Sequence, residues 1–494
     1  MPNQKTLTAA KGALFGTLLM FNPSFQAFAD EINYQEKIDT FMADLKTDLD
    51  VVPGYSIAVV RGDEILLATG YGITDVSSKS QVSADTLFYI ASSTKSFTGL
   101  AVASLAQKSL LELDIPIKNY LAELEGSPAG EVTLIQLLSH THGLEEEALT
   151  WRTAFTGDHN PEKLMEIVKN MPLSETPDAF NYQNTGYVIA SMVMERVTGK
   201  SWKTVVEEQV LGPLGMAGTT AYVSKLPETG VALPHTWFGS SIQFPLVKID
   251  STMHAAGGHF STANDMAIWL EAQLNDGLVD GKQIFPEGLV EGTHQARTSL
   301  EATFAAYKRH HYGFGWYQAD YRDQQMIHHF GSFSGYRSHV SFIPALGMGV
   351  AVMINDTSRP GFNLPDTIAN YIYDLAIDGE NAGEAQRQEI SGIAEMVAPM
   401  IGRTMPERPR NAPENEARYA GTYHNDEMGT LSFAMENDEL VLTFGALSSK
   451  TTYKEDGSIR MELEPGRGTL GVFVEGENGT ITAFRYRGFN YERQ

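Results

Sequence analysis

The sequence predicts an α/β or α+β domain followed by a small all-β domain, on three observations. From Asp30 to about Pro399, strand-like runs such as YSIAVV and GVAVMI alternate irregularly with long helical stretches such as NDMAIWLEAQLNDG. Residues 403–416 are charged and contain three prolines, which predicts a linker. Beyond them, apolar residues alternate with polar ones between turn residues. The predicted domains therefore cover residues 30–402 and 417–494.

The first 29 residues have the order of a secretory signal peptide. Lys5 and Lys11 precede an apolar run at 12–21, and Ala-Phe-Ala at 27–29 gives a small-x-small cleavage site. The apolar run is too short to cross a bilayer. We therefore expect cleavage before Asp30 and a periplasmic or secreted protein, with an uncleaved N-terminal anchor as the alternative.

Composition limits the classes of partner. The 494 residues carry a formal net charge of -25, so the surface should repel nucleic acid and anionic membranes while it tolerates neutral or cationic substrates. Cysteine is absent, so neither a disulfide nor a thiol nucleophile is available. We expect a small-molecule or peptide substrate, no nucleic acid, and no membrane span once the signal is removed. The oligomeric state stays open.

The stretch YIASSTKSFTG places Ser92 and Lys95 three positions apart at the start of a predicted helix. One turn of helix puts both side chains on the same face. Near a helix N-terminus, unpaired N–H groups favour an oxyanion. Ser92 can therefore act as a nucleophile and Lys95 as its proton acceptor, if burial lowers the lysine pKa from about 10.4. The alternative is an ordinary helix cap.

The stretch FNYQNTGYVIA places Tyr182 and Asn184 just before an amphipathic helix. A phenol whose pKa is lowered by a nearby ammonium can accept the serine proton and deliver it to a leaving group. Asn184 can donate a hydrogen bond to a substrate carbonyl. The alternative is a turn in which Asn184 caps the helix.

The stretch HHFGSFSGYRSHVSFIP places His329, Gly331 and Ser332 at the start of a strand-like run. Glycine permits close approach of the backbone to a ligand, and the N–H of Ser332 can complete an oxyanion hole with the N–H of Ser92. The alternative is that the two adjacent histidines are structural, at a glycine bend.

The remaining motifs predict structure rather than chemistry. Gly257-Gly258 turn into a helix with a Ser or Thr cap and are expected to form the wall of a cleft. Met194 stands where a phosphate-binding loop needs glycine, and Phe333 stands where a G-x-S-x-G nucleophile elbow needs serine. His140 and His142 lack a third nearby ligand, so we expect no metal.

Two β-hairpins are predicted in the C-terminal domain. TLSFAMENDELVLTF turns at Asn437-Asp438 between two alternating runs, and GVFVEGENGTITAFRYRGF turns near Glu477-Asn478-Gly479. Residues 417–494 should therefore form a small all-β, barrel-like domain.

Taken in order, these motifs resemble serine β-lactamase-like hydrolases, the group of class C β-lactamases, DD-peptidases and esterases known as peptidase family S12 or CubicO. The resemblance covers most of residues 45–355, and the C-terminal region is similar to the lipocalin-like domain that many of these proteins carry. It is carried by the opening hairpin PGYSIAVVRGDEILLATGYG and by TLFYIASSTKSFTG, LLSHTHGL, NYQNTGY and HFGSFSGY. The fold that this implies is a β-lactamase/DD-peptidase-like antiparallel sheet flanked by helices, with an added helical region.

The resemblance also implies a role for each matching residue. Ser92 attacks an acyl carbon while Lys95 and Tyr182 share the proton transfer. The N–H groups of Ser92 and Ser332 hold the oxyanion, and Asn184 orients the substrate. Water then releases the acyl group, without a cofactor.

Two positions depart from the family pattern. His329 stands where class C β-lactamases have the lysine of K-T-G, and a largely neutral histidine holds a β-lactam carboxylate weakly. Efficient β-lactam hydrolysis is therefore not expected. His142 replaces a serine in what is predicted to be a structural loop.

These features favour an exported serine hydrolase that cleaves a peptide, amide or ester bond through an acyl-enzyme. Peptidase or aminopeptidase-like activity is favoured because the periplasm offers D-amino-acid and cell-wall fragments. A carboxylesterase of the same fold is one alternative, and a penicillin-binding or sensor protein with little turnover is another.

Overall fold

The computed structural model describes residues 32–145, 147–405 and 408–494. The predicted signal peptide at 1–29 lies outside these residues. Within the described part of the chain, every helix is too short or too polar to cross a membrane.

The first domain is built on one eight-stranded antiparallel sheet, which confirms the predicted fold class. The order of its strands across the sheet is β2-β1-β14-β13-β12-β11-β10-β9. The sequence order of these strands is β1 Gly54–Arg61, β2 Glu64–Gly72, β9 Thr298–Phe304, β10 Tyr307–Tyr312, β11 Tyr317–Tyr321, β12 Gln324–Phe333, β13 Tyr336–Ile343 and β14 Met348–Ile354. Three short two-stranded pairs join β3 Phe88–Tyr89 to β6 Phe260–Ser261, β4 His235–Trp237 to β5 Ser241–Gln243, and β7 Leu278–Val279 to β8 Lys282–Gln283.

Helices cover the sheet and form an additional helical region. Their bounds are α1 Tyr34–Asp48, α2 Thr94–Gln107, α3 Leu134–Leu138, α4 Glu147–Trp151, α5 Pro161–Asn170, α6 Thr185–Thr198, α7 Trp202–Val206, α8 Gly212–Leu214, α9 Ala263–Leu274, α10 Leu289–His294, α11 Leu364–Asp378 and α12 Glu384–Val397. Helices α6 and α7 pack against α2, which carries the predicted nucleophile segment at its start.

The sheet is buried on both faces, as alternation along β1 shows. Ile57 and Val59 point into a core shared with α1 and α11, whereas Ala58 and Val60 point into a core shared with α2 and α9. Successive side chains of a strand face opposite sides, so a strand covered on both sides is apolar throughout. The layer that contains α2 holds the candidate site.

The C-terminal region is a closed eight-stranded barrel in up-and-down order, as the alternating pattern predicts. Its strands are β15 Gly421–Asn425, β16 Gly429–Glu436, β17 Glu439–Phe444, β18 Leu447–Tyr453, β19 Ile459–Glu464, β20 Arg467–Glu475, β21 Ile481–Tyr486 and β22 Phe489–Arg493. Both predicted hairpins are confirmed: Asn437 and Asp438 turn with φ of 49° and 62°, and Gly479 with φ of 71°.

The barrel packs tightly on residues 151–156 of the first domain. Trp151 contacts Phe444, with ring centroids 5.8 Å apart, and the N–H of Ala446 donates to the carbonyl of Thr156 over 3.0 Å. Gly445 has a φ of +57°, and a Cβ there would lie 2.2 Å from the Thr156 carbonyl oxygen. The two domains therefore share one continuous apolar core.

Candidate active site

Ser92 lies in a single 3-10 turn, Ala91–Ser93, that leads directly into α2. Ala91 has a φ of 45°, in the left-handed region that residues with a Cβ rarely adopt. Ser92 is only partly buried, whereas Ala91 and Ser93 on either side are buried. The strained turn therefore leaves the Ser92 side chain partly exposed at the beginning of a buried helix.

Lys95 is completely buried, and its amine has three polar neighbours. Nζ lies 3.3 Å from Ser92 Oγ, 2.8 Å from Asn184 Oδ1 and 2.7 Å from the carbonyl oxygen of Ala256. Burial lowers the pKa of Lys95 well below its usual value, which favours the neutral amine. This lowered pKa agrees with the expectation that burial lets Lys95 act as a proton acceptor.

The capping alternatives do not fit the geometry. The side chain of Asn184 makes no cap hydrogen bond to α6, and its Oδ1 accepts from Lys95 instead. Ser93 stands at the N-cap of α2, also without a capping side chain, and the Ser92 hydroxyl faces Lys95. The structure thus brings Ser92, Lys95 and Asn184 together.

Tyr182 lies beside this group, with its ring centroid 4.9 Å from Lys95 Nζ. Its hydroxyl is buried without a hydrogen bond of good geometry, although Ser92 lies close enough to lower the phenol pKa in part. Burial is the main cause that raises the pKa of Tyr182 well above its usual value, and the neighbouring Tyr317 adds to the increase. The sequence-based expectation that a neighbouring ammonium lowers this pKa is therefore wrong in direction, because desolvation dominates and Lys95 favours its neutral form.

The ring of His140 packs against the ring of Tyr182, a contact that the sequence did not predict. Its ring lies 4.5 Å from the Tyr182 ring, centroid to centroid, and its Nδ1 accepts from the N–H of Gln183 over 3.2 Å. His140 has a φ of 60°, and its carbonyl accepts from the N–H of Asn181 over 2.9 Å. The LLSHTHGL loop therefore fixes the segment that carries Tyr182. The neighbouring His142 accepts from the N–H of Leu144 within the same loop.

Strand β12 runs directly against the turn that holds Ser92. A Cβ on Gly331 would lie 1.9 Å from the carbonyl oxygen of Ile90, so only glycine permits this approach. From β13, the Ser338 hydroxyl donates to the same carbonyl over 2.8 Å and lies 2.9 Å from Ser93 Oγ. Ser332 follows the point of closest approach by one residue. Gly331 thus makes room for protein backbone, whereas the sequence suggested room for a ligand.

His329 is buried and neutral. Its Nδ1 faces the carbonyl oxygen of Phe330 at 2.7 Å and therefore carries the proton, and its Nε2 accepts from the Tyr312 hydroxyl at 3.1 Å. Burial, with Lys95 nearby, lowers the pKa of His329 well below its usual value. This position supplies no positive charge to the site.

The Gly257-Gly258 loop contacts both Lys95 and the turn that holds Ser92. Ala256 accepts a hydrogen bond from Lys95 through its carbonyl, and a Cβ on Gly257 would lie 3.5 Å from the Ala91 carbonyl carbon. The helix that follows is capped by Thr262, as predicted. Every residue has a backbone carbonyl, so the sequence gives no indication that the carbonyl of Ala256 accepts from Lys95. Among the described residues, no group of three or more His, Asp or Glu side chains is arranged to hold a metal ion.

This fold, with a paired hydroxyl and amine in an S-x-x-K motif, defines the class of β-lactamase-fold serine hydrolases. Residues 37–372 match the family model described as Beta-lactamase. The match spans more than half of the chain, so the protein belongs to the Beta-lactamase family.

The similar proteins have low sequence identity to this chain. Protein flp of Staphylococcus aureus (strain MW2) is 26% identical over 336 residues, which cover 66% of this chain and 64% of that relative, so the match spans less than two thirds of the relative's length. The octameric penicillin-binding protein homologue from Pyrococcus abyssi superposes with a TM-score of 0.60 at 21% identity, over 92% of this chain and 99% of the other. The D-amino acid amidase from Ochrobactrum anthropi SV3, complexed with L-phenylalanine amide, gives a TM-score of 0.55 at 23% identity, over 70% of this chain and 98% of that one.

Proposed function

We propose that this protein is an exported serine hydrolase that cleaves a peptide, amide or ester bond through an acyl-enzyme on Ser92. One observation carries the proposal: a fully buried amine, Lys95, lies 3.3 Å from the Ser92 hydroxyl, with the Tyr182 phenol alongside. A buried amine of lowered pKa can accept a proton at neutral pH, which an exposed lysine cannot do.

The directions of the two pKa shifts support one direction of proton transfer. The neutral amine of Lys95 accepts the proton of Ser92 as Oγ attacks the acyl carbon. The raised pKa of Tyr182 keeps its phenol protonated, so it is suited to protonate the leaving group. Lys95 then returns its proton to Tyr182. Opposite shifts in adjacent groups are the usual mark of a divided acid and base role.

Two further steps complete the proposed reaction. The oxyanion is held by the N–H groups of Ser92 and Ser332, whose backbones are brought near each other by the contact of Gly331 with Ile90. Water then attacks the acyl carbon, and Ser92 is regenerated as the acid product leaves. We assign orientation of the substrate to Asn184, whose Oδ1 accepts from Lys95.

A peptide or amide substrate is favoured over an ester. The fold is shared with an enzyme described as a D-amino acid amidase, and with a penicillin-binding protein homologue. Export would bring the protein to D-amino-acid and cell-wall fragments. Neutral His329 offers no charge for a β-lactam carboxylate, so antibiotic hydrolysis should be weak.

A substrate panel on the purified protein tests this function, with Ser92→Ala as the control. We expect D-alanyl peptides or D-amino acid amides to be hydrolysed, and Ser92→Ala to be inactive. Turnover of p-nitrophenyl esters alone would favour a carboxylesterase. Labelling of Ser92 by penicillin without turnover would favour a penicillin-binding or sensor protein. Hydrolysis that persists in Ser92→Ala would contradict the proposal.

A further inference from the structure

A second buried lysine, Lys248, lies outside the proposed catalytic group. Its side chain is 3% exposed, and Nζ donates to the carbonyl of Ala154 over 2.6 Å and to that of Thr252 over 3.4 Å. No carboxylate lies within ion-pair distance of it among the described residues. Three aromatic rings surround the amine instead, with centroids at 4.1 Å for Phe333, 5.2 Å for Phe155 and 5.8 Å for Tyr89. Carbonyl oxygens and ring faces both favour an ammonium over a neutral amine.

The segments that contact Lys248 also border the candidate active site. Tyr89 lies just before the turn of Ser92, and its hydroxyl donates to the carbonyl of Gly257 in the loop that holds Lys95. Thr252 lies at the start of that loop. Phe333 directly follows Ser332, the second proposed oxyanion donor. Lys248 therefore contacts residues on three segments that border the candidate active site.

The same amine also reaches the part of the first domain that the barrel covers. Phe155 and Ala154 belong to the segment on which Gly445 and Phe444 pack. From the β19–β20 turn, Gly466 approaches the Phe244 ring, where a Cβ would lie 2.9 Å from Cζ. Phe244 lies four residues before Lys248. The barrel thus contacts both the segment that contains Phe155 and the segment that leads to Lys248.

We propose that protonated Lys248 is a positioning residue for acyl transfer, which ties the segments flanking Ser92 to the C-terminal barrel. This inference rests on the proposed function.

The surroundings of Lys248 bring the pKa of its amine close to neutral pH. Burial lowers the pKa of Lys248 to about 7, and Glu464 of the barrel opposes that decrease. Burial keeps the Tyr89 phenol protonated and, aided by Lys248 itself, keeps His254 neutral. On the Lys248 segment, the Asp250 carboxylate accepts from Ser224.

The nearest charged side chain on the 151–156 segment is directed elsewhere. Arg152 donates to the barrel carbonyls of Glu427 and Asp426. Glu464 is therefore the carboxylate that favours the ammonium of Lys248. As pH rises through about 7, Lys248 loses its proton and the three rings lose their cation.

The pH dependence of kcat and KM, measured with a hydrolysed substrate, tests this proposal. Activity of the unmodified protein should decline above about pH 7, the pKa of Lys248. Lys248→Met should lower kcat below pH 7 by about tenfold or more with little change in KM, because a misplaced catalytic group costs rate rather than binding. Lys248→Arg keeps a charge that does not titrate, so the decline near pH 7 should disappear. Glu464→Gln should move the decline to lower pH.

Lys203 provides the matched control. It also donates to a carbonyl, that of Asp250, and lies over a ring, with Nζ 4.7 Å from the Tyr222 centroid. It has no contact with Phe333 or Tyr89 among its described partners, so Lys203→Met should retain the decline above pH 7.

The possible outcomes distinguish failure of the proposed function from failure of the inference about Lys248. Absence of labelling of Ser92 by a fluorophosphonate in the unmodified protein would overturn the proposed function, and this inference with it. Normal labelling and turnover, with the kcat and pH profile of Lys248→Met unchanged, would overturn the inference alone. If Lys248→Met shows no cooperative thermal transition, Glu464→Gln provides the test instead. A decline in activity that stays at the same pH in Glu464→Gln overturns the proposal.

Discussion

Gly331 approaches Ile90 so closely that a Cβ on Gly331 would lie 1.9 Å from the Ile90 carbonyl oxygen. This contact joins strand β12 to the turn of Ser92, and so connects the two ends of the proposed oxyanion hole. The strand and the turn are separated by more than two hundred residues of sequence. Their relative position therefore depends on tertiary packing and on the absence of a side chain at residue 331.

Gly331→Ala should separate β12 from the Ser92 turn. We expect a loss of about a hundredfold in the rate of Ser92 labelling by a fluorophosphonate, and a decrease in the free energy of unfolding of about 1–3 kcal/mol, because the backbone must shift. Gly292→Ala is the control, since no atom lies within 4 Å of a Cβ there. Labelling of Gly331→Ala at the normal rate would show that the approach of β12 is not required.

Lys95 should act as a base at a pH far below the usual lysine range. Its neutral form is the reactive one, and the experiment uses Lys248→Arg, in which the decline above about pH 7 should be absent. The labelling rate should then rise with pH and stop rising well below pH 10.4, because burial lowers the Lys95 pKa. Lys95→Arg should lose about 10²–10⁴-fold in rate, since a guanidinium does not deprotonate. A rate that keeps rising up to pH 10.4 would mean that Lys95 stays charged at neutral pH.

Tyr182→Phe should separate activity from stability. The hydroxyl is buried without a good hydrogen bond, so its removal should leave the melting temperature unchanged or raise it. The loss of a proton donor should lower kcat for an amide by about 10²–10⁴-fold. Thermal melts and steady-state kinetics on the same preparation measure both effects. Near-normal turnover would remove Tyr182 from the mechanism.

Gly445 should control docking of the barrel. Gly445→Val places a side chain against the Thr156 carbonyl, 2.2 Å from the expected Cβ, and should lower the melting temperature and expose residues 151–156 to proteases. Gly457→Val is matched, since Gly457 also has a positive φ, +81°, but no atom within 4 Å. Equal effects of the two substitutions would show that backbone strain alone is responsible.

Local patterns in the sequence were sufficient to predict the elements that depend on neighbours in the chain. The hairpin at Asn437-Asp438 and the helix after Ser92 follow from alternation, turn residues and apolar periodicity. Strands β9 to β11 were not placed, because these strands at one end of the sheet mix buried and exposed residues and their partners are set by packing.

The site was predictable only to the extent that it depends on reactive side chains. Ser92, Lys95 and Asn184 were found because their residue types carry chemistry, and the structure brings them together. The carbonyl of Ala256 was missed because every residue has one. The direction of the Tyr182 pKa was wrong because desolvation depends on neighbours that the sequence does not reveal.

Mass spectrometry of the protein after reaction with a fluorophosphonate probe tests the central claim most directly. We predict a single adduct on the peptide that contains Ser92, formed at pH 7, absent from Ser92→Ala, and formed about 10²–10⁴-fold more slowly in Lys95→Arg. An adduct on another serine, or no adduct at any pH at which the protein remains folded, would contradict a nucleophilic Ser92 activated by Lys95.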